Sequence, residues 1–522
     1  MKLSTLSRPL AAALLALAVC SAPAPADEFV DRANALYTTI RPNLRSDLVL
    51  LPAIAKMEEP PASVSRLAKA MLLPAGATGW DAAEKWAQGA PQRAVLEALH
   101  KVAAGENASE GMAFGQPYGA DAIATSSDGI ALIKANLYTD LGDPPLLAGA
   151  RYLYLPALDK VACLVNVEAT RLAAAGKPSE AVALLIDWLF FSRQMAERQA
   201  FQETRWGLRS MFAAFERIRD VVYTDFRGAH ALTVEQILTI LERLRGDGGY
   251  LRLDRLVFPV GPRIAGEQVV AQVFTPEGGP NATFGQTMAR LASTQRPLRL
   301  FAEAARWDRI AAGHAVSRDT AKELGRVYDD IAARWPLDPF DQRMALINDF
   351  ERMDKGRFAV IASVLPDLTV LFNDRQVLRT EAIGTRDALG VVAFFYSAKS
   401  FPPKLESIRP RFAKNLEADP FNPDRARGKQ PPLEFFVPVR DQVAGAGQSK
   451  PHEMNVIVGD MNFQVRLTED QFVLYSVGPN GAKDWAKEVS GEPVKGAIGD
   501  MLIWPPVLSL ARQHQLQTGV LK

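Results

Sequence analysis

The residues that could do chemistry in this 522-residue chain are few and scattered. Its five histidines, His100, His230, His314, His452 and His514, stand far apart. No two share a helical face at the spacing a metal-ligand pair needs, so they read as surface or capping residues. The sequence holds no His-Glu-x-x-His, no Gly-x-Ser-x-Gly, no Walker loop and no Cys-x-x-Cys. Asp187 interrupts the apolar run Val182–Phe191, and a carboxylate placed there needs a cationic partner. Arg171 on the preceding helix, or Arg205 and Arg209 beyond it, are the expected partners. Glu168 is similar, and Glu168, Asp187, Glu203 and Arg209 are the one set that could line a cleft. Cys163 sits in Val-Ala-Cys-Leu-Val and reads as a small buried hydrophobe. The most specific stretch is Asp470–Trp485, where a strand runs straight into a polar loop. In that loop Gly478 and Gly481 allow close backbone approach, and Asn480 suits a left-handed turn.

The elements that must position these residues are mostly helices. From 27 to 375 apolar residues recur at steps of three and four, with Gly and Pro at the breaks. Helices are expected over Asn43–Lys56, Trp80–Val102, Arg205–Tyr223, Thr287–Ala312, Ser317–Arg334 and Met344–Ile361. Glu106–Ser127, rich in Gly, Ala and Ser, is expected as a long loop or lid. Ala157–Ala174 and Ser179–Arg198 make a helical pair around Gly176-Lys-Pro-Ser179. This joint resembles the turn of a tetratricopeptide-type hairpin, although no 34-residue period surrounds it, so irregular hairpins are expected. Thr233-Val-Glu-Gln236 is a capping box opening a further helix. Trp335-Pro-Leu-Asp-Pro-Phe-Asp341 is a rigid turn, and Asp419-Pro-Phe-Asn-Pro423 is a turn.

From 376 to 522 the pattern changes. Leu378, Ala382, Thr385, Leu389, Val392 and Tyr396 form one helical stripe. Strands follow at Leu433–Val439, Met454–Val458, Phe463–Thr468 and Phe472–Val477. The last two are expected to pair as a hairpin across Glu469-Asp-Gln471. The fold class is therefore mainly α: an irregular helical-hairpin region over 27–375 and a small α+β domain with an antiparallel sheet over 376–522.

The first 26 residues read as a signal peptide. Lys2 and Arg8 precede the apolar stretch Leu10–Val19, and Ala24-Pro-Ala26 is a small-x-small cleavage site. Cys20 invites lipidation, but Val19 stands where a small residue is wanted. An exported, periplasmic or secreted protein is expected, with no transmembrane segment in the mature chain. Basic and acidic residues number 60 and 59; losing Lys2 and Arg8 leaves a net charge of −1. Such a balance exerts no bulk pull on nucleic acid.

The order from Phe401-Pro-Pro-Lys-Leu-Glu-Ser-Ile408 through Asp419-Pro-Phe421 and Phe472-Val-Leu-Tyr-Ser-Val-Gly-Pro-Asn-Gly481 to Gly499-Asp-Met-Leu-Ile503 resembles the globular domain of type II secretion major pseudopilins. The resemblance covers roughly Val377–Trp504, and the whole chain is similar to large exported bacterial proteins of planctomycete type. It implies calcium in the loop after the Leu-Tyr-Ser strand. The ligands it implies are the backbone carbonyls of Leu474 and Val477 and the side chains of Ser476, Asp484 and Asp500. The secretory leader and the long helical region depart from a fibre subunit, so the resemblance implies a fold and not a fibre. The functional expectation is a non-enzymatic module that binds an unknown protein or peptide. The alternative is a periplasmic hydrolase with carboxylates converging in the helical domain.

Overall fold

A computed structural model describes residues 27–105, 111–125, 128–245, 251–293, 300–441, 450–490 and 499–522. The expected leader, residues 1–26, lies outside the described residues. The chain is mainly α-helical with a small sheet near its C-terminal end. Among the described residues no helix is long and apolar enough to cross a membrane.

The centre is built by α1 (Leu155–Ala174), α2 (Pro178–Ala196) and α3 (Phe201–Arg227). The turn between α1 and α2 is the one its residues foretell. Gly176 adopts φ +76°, and the amides of Gly176 and Lys177 return to the carbonyls of Ala173 and Leu172. That closes the helix with a left-handed residue, and Pro178 restarts it without an amide to satisfy. Every residue of α2 from Leu185 to Ala196 is buried, so this helix is core on all sides. The capping box at Thr233 forms as expected, opening the Val234–Arg243 helix.

The long helix α4 (Val370–Ala398) lies along α3. Its stripe of Leu378, Ala382, Thr385, Leu389 and Val392 is buried. The expected boundary at 375/376 falls inside α4, and one apolar core continues from Leu50 through to Trp504. A last helix, α5 (Val507–Gln517), packs on the far face of the sheet through Val507, Leu510 and Ala511.

A two-stranded ribbon pairs β1 (Thr139–Asp140) with β2 (Arg151–Tyr152). The main sheet contains β3 (Glu434–Phe436), β4 (His452–Val458), β5 (Met461–Leu467), β6 (Val473–Ser476), β7 (Glu488–Ser490) and β8 (Asp500–Trp504). Its spatial order is β3-β6-β8-β7-β4-β5. The β3/β6, β6/β8 and β4/β5 pairs are antiparallel, whereas β7 runs parallel to both β4 and β8. Leu474, Met501 and Ile503 face the large core, while Val473, Tyr475 and Leu502 face α5. Gly384 lets α4 come close to the sheet, since a Cβ there would lie 2.7 Å from the Ile503 side chain.

Several expectations are corrected. β5 and β6 do not form a hairpin. β5 alternates in burial and sits at an edge beside β4, while every residue of β6 is buried and needs a neighbour on each side. Met344–Ile361 is not one helix, because Asn348 caps a new turn at Glu351 and Asp354 takes the amides of Gly356 and Arg357. Trp80–Val102 divides into Trp80–Ala87 and Ala90–Gly105, with Pro91 restarting the helix. Phe284–Ser293 and Leu300–Ala311 replace Thr287–Ala312, and residues 294–299 between them lie outside the described residues. Over 111–118 the stretch is a loop, as one of the two expectations had it, but not a lid. Phe114 is in the core, Asp47 accepts the Gly115 amide, and Gln116 donates to the Leu137 carbonyl. Residues 106–110 and 126–127 of that stretch lie outside the described residues.

Candidate functional site

Three of the turns marked in the sequence converge in space. The Trp335–Asp341 turn, the Asp419–Pro423 turn and the Gly478–Gly481 loop surround a cleft of about 510 Å³, floored by the first turns of α4. Each turn is locked locally. Trp335 donates its indole N–H to the Leu256 carbonyl at 3.2 Å and packs near Phe258 and Phe372. Buried Asp419 accepts the Phe421 amide, the Ser476 hydroxyl at 2.7 Å and the Val477 amide at 3.1 Å. One carboxylate thus binds the second turn to the strand that feeds the third. Arg425 joins the second turn to the first by pairing with Asp338 and donating to the Pro420 carbonyl. Gly478 and Gly481 take φ +68° and +63°, and a Cβ on Gly478 would lie 2.9 Å from the Gly499 carbonyl oxygen.

The walls are aromatic and proline-rich: Trp335, Phe340, Phe372, Phe421, Pro339 and Pro479. The polar lining includes Arg334, Arg375, Asn373, Gln376, Asn480 and Thr369, and among the described residues lining the cleft there is no carboxylate. Arg375 lies over the Trp335 ring with its guanidinium 4.8 Å from the centroid, and donates to the Trp335 carbonyl. Burial, and then the neighbouring Arg379, lower the Arg375 pKa from its ordinary value.

The residues implied as calcium ligands sit beside this cleft, and the Ser476 and Asp500 side chains are engaged with the chain itself. Leu474 and Ser476 belong to β6, paired with β3 and β8. The Ser476 hydroxyl is given to Asp419, and Val477 offers that carboxylate its amide. Asp500 accepts the amides of Asp484 at 3.4 Å and Ala486 at 2.6 Å. Burial raises the Asp500 carboxyl to about 7, against the pull of those amides. Among the described residues no three acidic, histidine or cysteine side chains gather as a cation site. Calcium would need six to eight oxygens here, and of the implied side chains Ser476 and Asp500 already bond within the chain.

The carboxylates expected in the helical region are dispersed. Asp187 pairs with Arg243 at 2.8 Å and His100 at 2.9 Å, not with Arg171, Arg205 or Arg209. Sequence proximity pointed to the wrong arginines because the Val234–Arg243 helix folds back onto α2. Glu168 takes Arg93 and Arg171. Glu203 is fully buried and accepts the Tyr118 hydroxyl at 2.6 Å, the Tyr154 hydroxyl and the Arg198 Nε–H at 2.8 Å. Arg198 in turn stacks 3.6 Å from the Tyr37 ring centroid. That cage ties the first helix, Glu28–Thr38, to the body. Arg209 is exposed. Cys163 is buried, which pushes its thiol up to about 12 and leaves it protonated at neutral pH.

Arg375 and Phe372 carry no signal in the sequence, since the apolar stripe of α4 reads as starting at Leu378. Asp419 has one, because an Asp before Pro opens a turn that its own carboxylate can cap. No family model matches the chain, and neither a curated protein nor a solved structure resembles it significantly.

Proposed function

We propose that this is an exported, non-enzymatic protein that holds a segment of a partner protein or peptide in the cleft between its helical body and its sheet. In this reading the C-terminal region, of pseudopilin type, serves as a rigid wall. The observation that carries the reading is the convergence of three locked turns on one aromatic cleft. Side chains already ordered in the free protein lose little further freedom on binding. Two features support binding over hydrolysis. Glu168, Asp187 and Glu203 each stand in a separate ion pair or phenol cage. The carboxyls that burial raises to about 7, Glu381, Asp387 and Asp500, do not line the cleft. A catalytic acid has to reach its substrate.

The test uses Asn480, an exposed loop-tip residue that lines the cleft. Wild-type protein and Asn480→Trp are applied to the same array of immobilised random peptides. The wild type should retain a defined subset that Asn480→Trp loses with an unchanged melting temperature. Retention of the same peptides by both, or of none, overturns the reading. Export is tested separately by fusing residues 1–26 to a reporter enzyme that is active only outside the cytoplasm. An inactive fusion removes that part of the proposal.

A further inference from the structure

Of the arginines at the cleft, Arg334 and Arg425 are paired with Asp330 and Asp338, whereas Arg375 lines it with its neighbour Arg379 close behind. The nearby carboxylates are already held. Asp330 takes Arg334 and the Asp349 amide, Asp338 takes Arg425 and the Phe340 amide, and Glu417 takes Arg386. Asp374, next to Arg375 in sequence, turns instead to Arg205 at 3.6 Å. Arg375 is therefore a half-buried guanidinium that donates to a backbone carbonyl and, among the described residues, has no carboxylate paired with it. A cation withdrawn from water is stabilised by a counter-charge, and its planar fork suits a carboxylate. The N-terminal turn of the 29-residue helix α4 lines the cleft too, adding its positive end to the same field. Past Arg334, which donates to the Leu346 carbonyl, the rim continues in Leu346 and Ile347, exposed at 57% and 58%.

Taking the binding reading as its basis, we infer that the cleft selects a peptide carboxylate, received by Arg375 between aromatic walls, with apolar side chains lying beside it. A chain terminus and an Asp or Glu side chain present the same group.

Three pools of N-acetylated tetrapeptides built from Phe, Leu, Pro and Ala distinguish them by equilibrium dialysis with mass-spectrometric readout. One pool carries free C-terminal carboxylates, one is amidated, and one is amidated with an internal Asp. Retention of a carboxylate pool should exceed that of the plain amidated pool by about tenfold or more, the size of a charge-assisted bond. Arg375→Gln should remove that preference, and Arg375→Lys should keep part of it, which a purely structural role for Arg375 would not do. The better-retained acidic pool identifies the source of the carboxylate. Equal retention of the amidated pool overturns the carboxylate inference while the binding reading stands. Retention of none overturns both, and an undiminished preference in Arg375→Gln removes Arg375 from the role.

Discussion

At the scale of single residues, this fold holds several charges out of water, and they differ in how well they are compensated. Asp220 is fully buried, yet Arg217, both arms of Arg512 and the Ser509 hydroxyl surround it. Burial works to raise it, and the two guanidiniums outweigh burial and hold it below its ordinary value. Asp387 is the opposite case. It is 3% exposed, its Oδ2 has no hydrogen-bond partner among the described residues, and burial raises it to about 7, with Arg386 opposing and Glu417 adding to the rise. A carboxyl raised in the folded state binds its proton more tightly there than in the unfolded chain. Its contribution is fully present below the ordinary value of 3.8 and is lost as pH rises through about 7. Glu381 and Asp500 act in the same direction. The melting temperature should therefore fall between about pH 4 and pH 7. Asp387→Asn should reduce that fall and stabilise the protein at the upper end by on the order of 2 kcal/mol. A pH profile parallel to that of the wild type would refute this account of Asp387.

Among the elements, close backbone approach decides what can be substituted. Gly207 of α3 lies against the end of α2, where a Cβ would fall 2.2 Å from the Ala196 nitrogen and 2.7 Å from the Ser192 carbonyl oxygen. Both obstacles are backbone, so neither can turn aside as a side chain would. Gly207→Ala should force the two helices apart and cost on the order of 2–3 kcal/mol, read as a lower denaturant midpoint. An unchanged midpoint would mean that α2 and α3 do not cross this closely. This element pair was legible in the sequence because its signals are local: the Gly176 and Pro178 turn residues and the apolar steps on either side. The sheet was legible only in part. The alternation over Met461–Leu467 announces a half-buried strand but does not name its partner. β7, β8 and α5 were not recognised as elements. Their setting depends on a fully buried β8 lying between β6 and β7, with the parallel β7 linking it to β4.

For the molecule as a whole, the helices and the sheet share one apolar core. Leu474, Met501, Ile503 and Trp504 of the sheet region join the same cluster as the residues of α1 to α4. Trp504 stacks on Phe472 and meets Tyr223 of α3 edge-on, and Arg512 of α5 reaches Asp220 of α3. Unfolding should therefore appear as one calorimetric transition rather than separate helical and sheet transitions. Resolved peaks would show that this shared core is not cooperative. The same melt tests the loop. Because Asp419 and Asp500 already cap backbone amides, millimolar calcium should leave the midpoint where a chelator leaves it. A rise with calcium would establish a site that binds only the folded state.

Read alone, the sequence determined what depends on neighbours along the chain. It marked the helical body, the capped and glycine-closed helix ends, the strand-rich C-terminal third, and the three turns rich in Pro, Asn and Gly. Only the tertiary structure decided that those turns meet, that Arg375 faces them with no carboxylate among the described lining residues, and that Asp187 finds Arg243. The reason is physical. Turns and caps are satisfied by hydrogen bonds within a few residues, whereas a buried charge takes whichever partner the packing of distant apolar faces brings to it.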